Sequence, residues 1–224
     1  MPIVVLQPFY GNTLHAKVLR QQIAVSDVVK RQIWKQIVQS KIRGQLKVID
    51  IDVNGRSRLK MLVREVKSGD KTNVEAQAAK LYWRLLFGAS FRRSTDGDGI
   101  NALLNYGYAV LRALTAGSIT MSGLHPALGI HHSNQYNPYA LADDLLEPLR
   151  PFVDQSVRRL IDENSPGFIP ELSPDTKKRL LDISAIGCSI GERTLPLMVA
   201  MQVYLASFKR VLFRQEKRLE IPEL

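Results

Sequence analysis

Apolar residues recur at helical spacing along most of the chain. From Ser26, which the pattern makes a helix cap, Val29, Ile33, Ile37, Val38 and Ile42 fall on one face with Lys and Arg between them. Asn54-Gly55 ends that run, and a short basic helix over residues 57–67 follows. Ser68-Gly69-Asp70 then reads as a turn before a helix capped by Asn73, in NVEAQAAKLYWRLLFG. A polar loop, GASFRRSTDGDG, leads to an apolar helix over residues 100–115 whose polar exceptions are Asn101, Asn105 and Tyr108; buried asparagines ordinarily serve backbone groups. Pro138 drives Asn137 out of the α region, so a new helix begins at Tyr139 and ends near Arg150-Pro151, and Ser173-Pro174-Asp175 starts another. Residues 194–208 form the longest apolar run. Interrupted by Pro196, Gln202 and Ser207, it falls short of the about 20 apolar residues that span a bilayer and reads as a buried central helix. Residues 1–9 are β-prone and close at Tyr10-Gly11-Asn12. The expectation is a mainly α protein, with a short β segment over residues 1–11 and a helical domain over residues 12–224.

A chain of 224 residues, 45% of them hydrophobic, has enough apolar surface for one large domain or two small ones. Its single cysteine, Cys188, excludes an internal disulfide framework and fits the reducing cytoplasm; apolar neighbours mark it as a packed thiol. No positively charged region precedes an apolar stretch at the N-terminus, so no signal peptide is expected. The 31 Lys and Arg against 21 Asp and Glu give a formal charge of +10, an excess that attracts a polyanion. The charge recurs in clusters at Lys30-Arg31, 56–64, Arg92-Arg93, Arg158-Arg159 and 177–179. Each cluster alone reads as a solvated face, and as a set they can follow a DNA backbone through phosphate contacts. Arg84, Arg92, Arg93 and Arg112 are the candidates for such contacts, although the loop carrying Arg92 and Arg93 reads sooner as a plain connector.

Candidate chemistry concentrates in GIHHSNQYNPYALADDLLEPLRPFVD. Asp144 and Glu147 stand three apart on one helical face, and His132 lies a loop's length upstream, within reach of folding back toward them. Two hard oxygen donors and one imidazole, with no thiolate nearby, suit Mg²⁺ or Mn²⁺ better than a closed zinc site. Glu75 lies far upstream in the first turn of its helix, where the dipole favours an acid, beside the small residues Ala76, Ala78 and Ala79. From pattern alone Asp143, Asp144 and Glu147 read sooner as helix-surface acids, Glu75 as a solvated partner of the helix dipole, and His131 and His132 equally as a loop pair without a ligand role. Spacing does not separate His132 from His131, and His125 reads as a loop residue.

The segments SGDKTNVEAQAAKLYW, DGINALLNYGYAVLRA, GLHPALGIHH and NPYALADDLLEPLRPFVD, with LSPDTKKRLLDI and GERTLPLMVAM after them, resemble CRISPR-associated protein one, the spacer integrase of type II CRISPR systems. The resemblance runs from about Pro2 to the Arg-rich end. It implies a metal-dependent DNA endonuclease and integrase that inserts protospacer DNA into the CRISPR array by 3′-hydroxyl attack on a phosphodiester. The implied metal and catalytic set is Glu75 of the EAQAA block, His132 of the GIHH block and Glu147 of the DLLEP block, with Asp144 second to these. The implied partners are protospacer and repeat DNA, a small CRISPR adaptation protein and a second copy of the chain. Members of the family carry an N-terminal β-rich domain, of which PIVVLQPFYG resembles only the last strand and exit, so residues 1–11 would be its remnant and linker. That departure puts dimerisation in question. It also keeps two other readings open: a non-catalytic helical DNA-binding module, and a scaffold inactive through truncation.

Overall fold

The computed structural model describes residues 14–49, 53–163 and 171–224. Among these, the chain runs α1 (His15–Ile23), α2 (Asp27–Val48), α3 (Val53–Glu65), α4 (Val74–Phe87), α5 (Ile100–Met121), α6 (Ala140–Leu146), α7 (Arg150–Asp162), α8 (Pro174–Leu181), β1 (Gly187–Ile190), β2 (Arg193–Pro196) and α9 (Leu197–Leu212). The mainly α reading holds. The β-prone stretch over residues 1–9 and the boundary at residue 11 lie outside the described residues. No helix among the described residues is long and apolar enough to cross a membrane.

The long helix α2 runs through the core, burying Ile33, Trp34, Ile37, Val38 and Ile42 against α3, α4, α7 and α9. Each such side chain stabilises the fold by about 1.5–3 kcal/mol. Ser26 has the extended backbone of an N-cap, but its hydroxyl accepts from Arg214 at 2.8 Å instead of capping the helix. The break after α2 falls between Val48 and Val53, so Asn54-Gly55 lies inside α3 and does not end a helix. Arg150-Pro151 is likewise a beginning. A 3₁₀ turn over Glu147–Leu149 ends α6, and Pro151 occupies the first turn of α7, where its missing N–H leaves no helical bond unmade. The apolar helix after Gly99 continues six residues beyond Thr115, to Met121.

Besides α7, two elements escaped the sequence reading. Helix α1 is short, and its buried residues are only Val18 and Gln22. The hairpin β1–β2 pairs Gly187 with Pro196 and Ile190 with Arg193, turning at Gly191, whose φ of 58° suits glycine. The run over residues 194–208 therefore splits into strand and helix, with Pro196 as the N-cap of α9. Cys188 is buried in β1, and burial pushes its thiol pKa up, as a packed thiol requires.

One polar group ties α4, α5 and α7 together. Tyr82 donates to Asp154 at 2.8 Å, and Tyr108 donates to its other carboxylate oxygen. Burial pushes Asp154 up to about 6, against the opposing effect of the two tyrosine hydrogen bonds. A folded pKa above the unfolded one contributes stability that is complete below about pH 4 and lost as pH rises through about 6, on the order of 3 kcal/mol here. Asp154→Asn removes that titration. In urea unfolding the variant should trail the wild type most near pH 4 and draw closer by pH 7; a gap that widens with pH would contradict the assignment.

Candidate metal centre

Glu75 owes its position to the start of α4. Asp70, held at φ 44° beyond Gly69, accepts from the N–H groups of Val74 and Glu75, both at 2.9 Å, while Asn73 accepts from Ala76 at 3.4 Å. Three donors that α4 leaves without helical partners are satisfied. The side chain of Glu75 then meets Lys41 of α2, whose ammonium lies 2.6 Å from Glu75 Oε1 and 2.5 Å from Glu147 Oε2. The two carboxylates, from α4 and from the turn after α6, thus converge on one cationic atom. Arg150 donates to the other oxygen of Glu147 at 2.8 Å. Burial pushes Glu147 up, but the charges of Arg150 and Lys41 outweigh it and hold the carboxyl down at about 2. Burial lowers the Lys41 pKa, and Glu147 and Glu75 reverse the shift, so the ammonium stays charged.

His132 is set by Asp144. This aspartate is fully buried and accepts four N–H bonds: Ile130 N–H at 2.7 Å and His131 N–H at 3.0 Å on Oδ2, then His132 N–H at 3.1 Å and His132 Nδ1 at 2.6 Å on Oδ1. A carboxylate only accepts, so Nδ1 carries the proton and Nε2 of the neutral ring keeps its lone pair. That hydrogen bond raises the His132 pKa, outweighing the burial that would lower it. With its acceptors engaged, Asp144 fits a supporting role behind the imidazole better than a ligand role. Trp34 of α2 stacks on His131, with ring centroids 4.0 Å apart and planes 4° from parallel. The neighbouring histidines therefore differ: one ring is clamped to the core, and the other is aimed by Asp144. Gln22 of α1 fixes the start of the same loop, donating to the carbonyls of His125 at 3.0 Å and Leu128 at 3.3 Å.

Gly129 is required by this loop. A Cβ there would stand 2.3 Å from the His132 carbonyl oxygen and 3.0 Å from Asp144 Oδ2. Gly129→Ala should shift the loop, cost about 1–3 kcal/mol and speed amide exchange at residues 130–132. Unchanged exchange there would show that the loop absorbs the methyl group.

His132 faces an open cavity of about 440 Å³ whose walls include Tyr108, Arg112, Asp143 and Arg150. The Arg150 guanidinium lies 4.5 Å from the Tyr108 ring centroid, and that of Arg112 lies 5.1 Å from the Tyr139 ring. Among the described residues, no three of His, Cys, Asp and Glu stand close enough to enclose an ion as they are placed. The structure brings Glu75 and Glu147 together on Lys41, while His132 shares the cavity wall with Arg150, the partner of Glu147.

The four arginines proposed for DNA contact differ. Arg84 and Arg92 are exposed, and Arg92 donates to the carbonyls of Ala89 and Phe91 at 2.8 and 2.9 Å. Arg93 is bound by Asn101 at 3.1 Å and Asn105 at 2.5 Å, and Arg112 by Asn137 at 2.9 Å and Asp143 at 2.7 Å. Asn101 and Asn105 also bind backbone groups of residues 92–95, the structural service expected of them. Lys41 and Asp70 escaped the sequence reading. The available signal was position: Lys41 lies two helical turns after Trp34, on the face that α2 buries.

The profile of the CRISPR associated protein Cas1 family matches residues 2–168. The CRISPR-associated endonuclease Cas1 of Neisseria meningitidis is 40% identical over 97% of this chain and 71% of its own length. A second relative, CRISPR-associated endonuclease Cas1 2 of Pyrobaculum aerophilum, is 33% identical over 72% of this chain and 60% of its own. Among solved structures, a partial Cas6-RT-Cas1–Cas2 complex superposes with a TM-score of 0.77, covering 96% of this chain and 76% of that one. A casposase bound to integration product superposes at 0.72, covering 92% and 71%. Both are 20% identical to this chain, a likeness of fold. With the profile matching most of the sequence and a relative aligned along nearly all of it, this chain belongs to the CRISPR-associated Cas1 family.

Proposed function

We propose that this chain is a divalent-metal-dependent DNA endonuclease and integrase of CRISPR adaptation, inserting protospacer DNA into the array by 3′-hydroxyl attack on a phosphodiester. One observation carries the reading: the carboxylates of Glu75 and Glu147 converge on a single cation, the Lys41 ammonium, within 2.6 Å. Two hard oxygen donors fit Mg²⁺ or Mn²⁺, and Nε2 of His132, with Nδ1 held by Asp144, would supply a third ligand. An ion held by these residues would supply Lewis-acid chemistry toward the scissile phosphodiester and the attacking hydroxyl.

The chain's own groups do the remaining work. Arg150 and Arg112 line the cavity beside His132, where guanidinium groups can receive phosphate oxygens. Asp144 and the Trp34–His131 stack hold the imidazole in place. Exposed Arg84 and Arg92, within the net charge of +10, provide sequence-independent contacts to the DNA backbone. The names of the relatives and the fold shared with a Cas1–Cas2 complex and a DNA-bound casposase support DNA and a small Cas2-type protein as partners, and pairing of two copies belongs to the same proposal.

The test is a Mn²⁺ titration of the purified chain, with and without His132→Ala, followed by cleavage of a labelled branched DNA. Removing one ligand should weaken Mn²⁺ binding at least about tenfold and reduce cleavage in step. Intact cleavage in His132→Ala would refute the ligand assignment. DNA binding with no cleavage in either protein would favour the non-catalytic module, and loss of both metal and DNA binding would favour the scaffold.

A further inference from the structure

Lys41 is out of place for a lysine that serves only solubility. Its side chain is 11% exposed, it projects from the face of α2 that carries Ile37, Val38 and Ile42 into the core, and its ammonium hydrogen-bonds both Glu75 and Glu147. Glu147 is already paired with Arg150, and Glu75 has no other ion pair among the described residues. Counted together, Glu75, Glu147, Lys41 and Arg150 carry no net charge. The carboxylate pair is therefore neutralised by Lys41 and Arg150 together, and joined by the cation tethered to the backbone of α2.

We propose that Lys41 is the positioning residue of the ion site: it holds Glu75 and Glu147 together as a built-in counter-cation and competes with the divalent ion for them. This rests on the assignment of Glu75 and Glu147 as ion ligands. An ion entering the neutral cluster must displace the ammonium and brings an excess of positive charge that a DNA phosphate would offset. Ion binding by the chain alone is therefore weak and strengthens when DNA is present. With Lys41 made neutral the cluster carries one net negative charge, so the ion enters without a competitor.

The experiment measures Mn²⁺ affinity, from the electron-paramagnetic resonance signal of free Mn²⁺, and melting temperature with and without Mn²⁺, for the wild type, Lys41→Met and Lys41→Gln. Both variants should bind Mn²⁺ at least about tenfold more tightly than the wild type. They should melt lower in its absence and gain more from its addition, and a short duplex DNA should narrow their advantage in affinity. A lysine with a purely structural role would lower the melting temperature equally with and without metal, and that result would overturn the proposal. If Lys41→Met fails to fold without metal, Lys41→Gln carries the same comparison. In the wild-type chain the Lys41 side-chain NMR signals should move with the Mg²⁺ binding isotherm; signals that stay fixed at saturation would also overturn it. If wild type and variants alike bind no Mn²⁺, the ligand assignment itself falls; if the wild type binds and the variants bind no more tightly, only the role of Lys41 falls.

Discussion

Glu75→Gln and Glu147→Gln should each lower metal-dependent cleavage of branched DNA by at least about a hundredfold, because each removes a charged donor at the point where the two carboxylates meet. Their effects on stability should differ. Glu147 is buried and held down at about 2, so its charge contributes stability that is present above about pH 4.5 and lost as pH falls toward 2. Neutralising it leaves Arg150 without its carboxylate and costs about 3 kcal/mol. Glu75 is 23% exposed and bonds Lys41 alone among the described residues, so its loss should cost less. Far-UV circular dichroism and urea unfolding separate the two effects, with activity compared under conditions where each variant is fully folded. A Glu75→Gln variant that cleaves at the wild-type rate would remove this residue from the site.

The second large effect is expected at Asp144. Four N–H groups converge on this buried carboxylate, and asparagine can accept through only one oxygen while its NH₂ group faces donors. Asp144→Asn should therefore cost about 2–4 kcal/mol through unmade buried hydrogen bonds. It should also lower Mn²⁺ affinity about 10–100-fold, because the His132 tautomer is no longer fixed. The stability loss is read by urea unfolding and the affinity loss by Mn²⁺ titration. Loss of stability with unchanged Mn²⁺ affinity would confine Asp144 to holding the loop.

The sequence made some of this legible and hid the rest for physical reasons. The stripe on α2, the Asn73 cap, the helix after Ser173 and the dense acid and histidine block were visible because each is a local pattern. The hairpin β1–β2 was not, since its second strand joins the apolar run of α9 without a polar interruption and periodicity does not separate the two. Arg150-Pro151 read as a stop, yet proline is at home in a helix's first turn, and only the 3₁₀ turn before it tells which case applies. Glu75, His132 and Glu147 came from motif blocks. Their supporting groups, Lys41, Asp70, Trp34 and the four-fold use of Asp144, are tertiary contacts. A lysine beside an apolar stripe looks like a solvated one until a second helix brings carboxylates to it. The guanidinium groups of Arg93 and Arg112 are likewise engaged by partners on other segments, which a charge count does not reveal.

Anomalous diffraction from Mn²⁺-soaked crystals of the chain would show whether Glu75, Glu147 and His132 hold a divalent ion. A single strong anomalous peak is expected within about 2.0–2.3 Å of a carboxylate oxygen of Glu75, a carboxylate oxygen of Glu147 and Nε2 of His132. A peak bound elsewhere, with Lys41 still joining the two carboxylates, would contradict it.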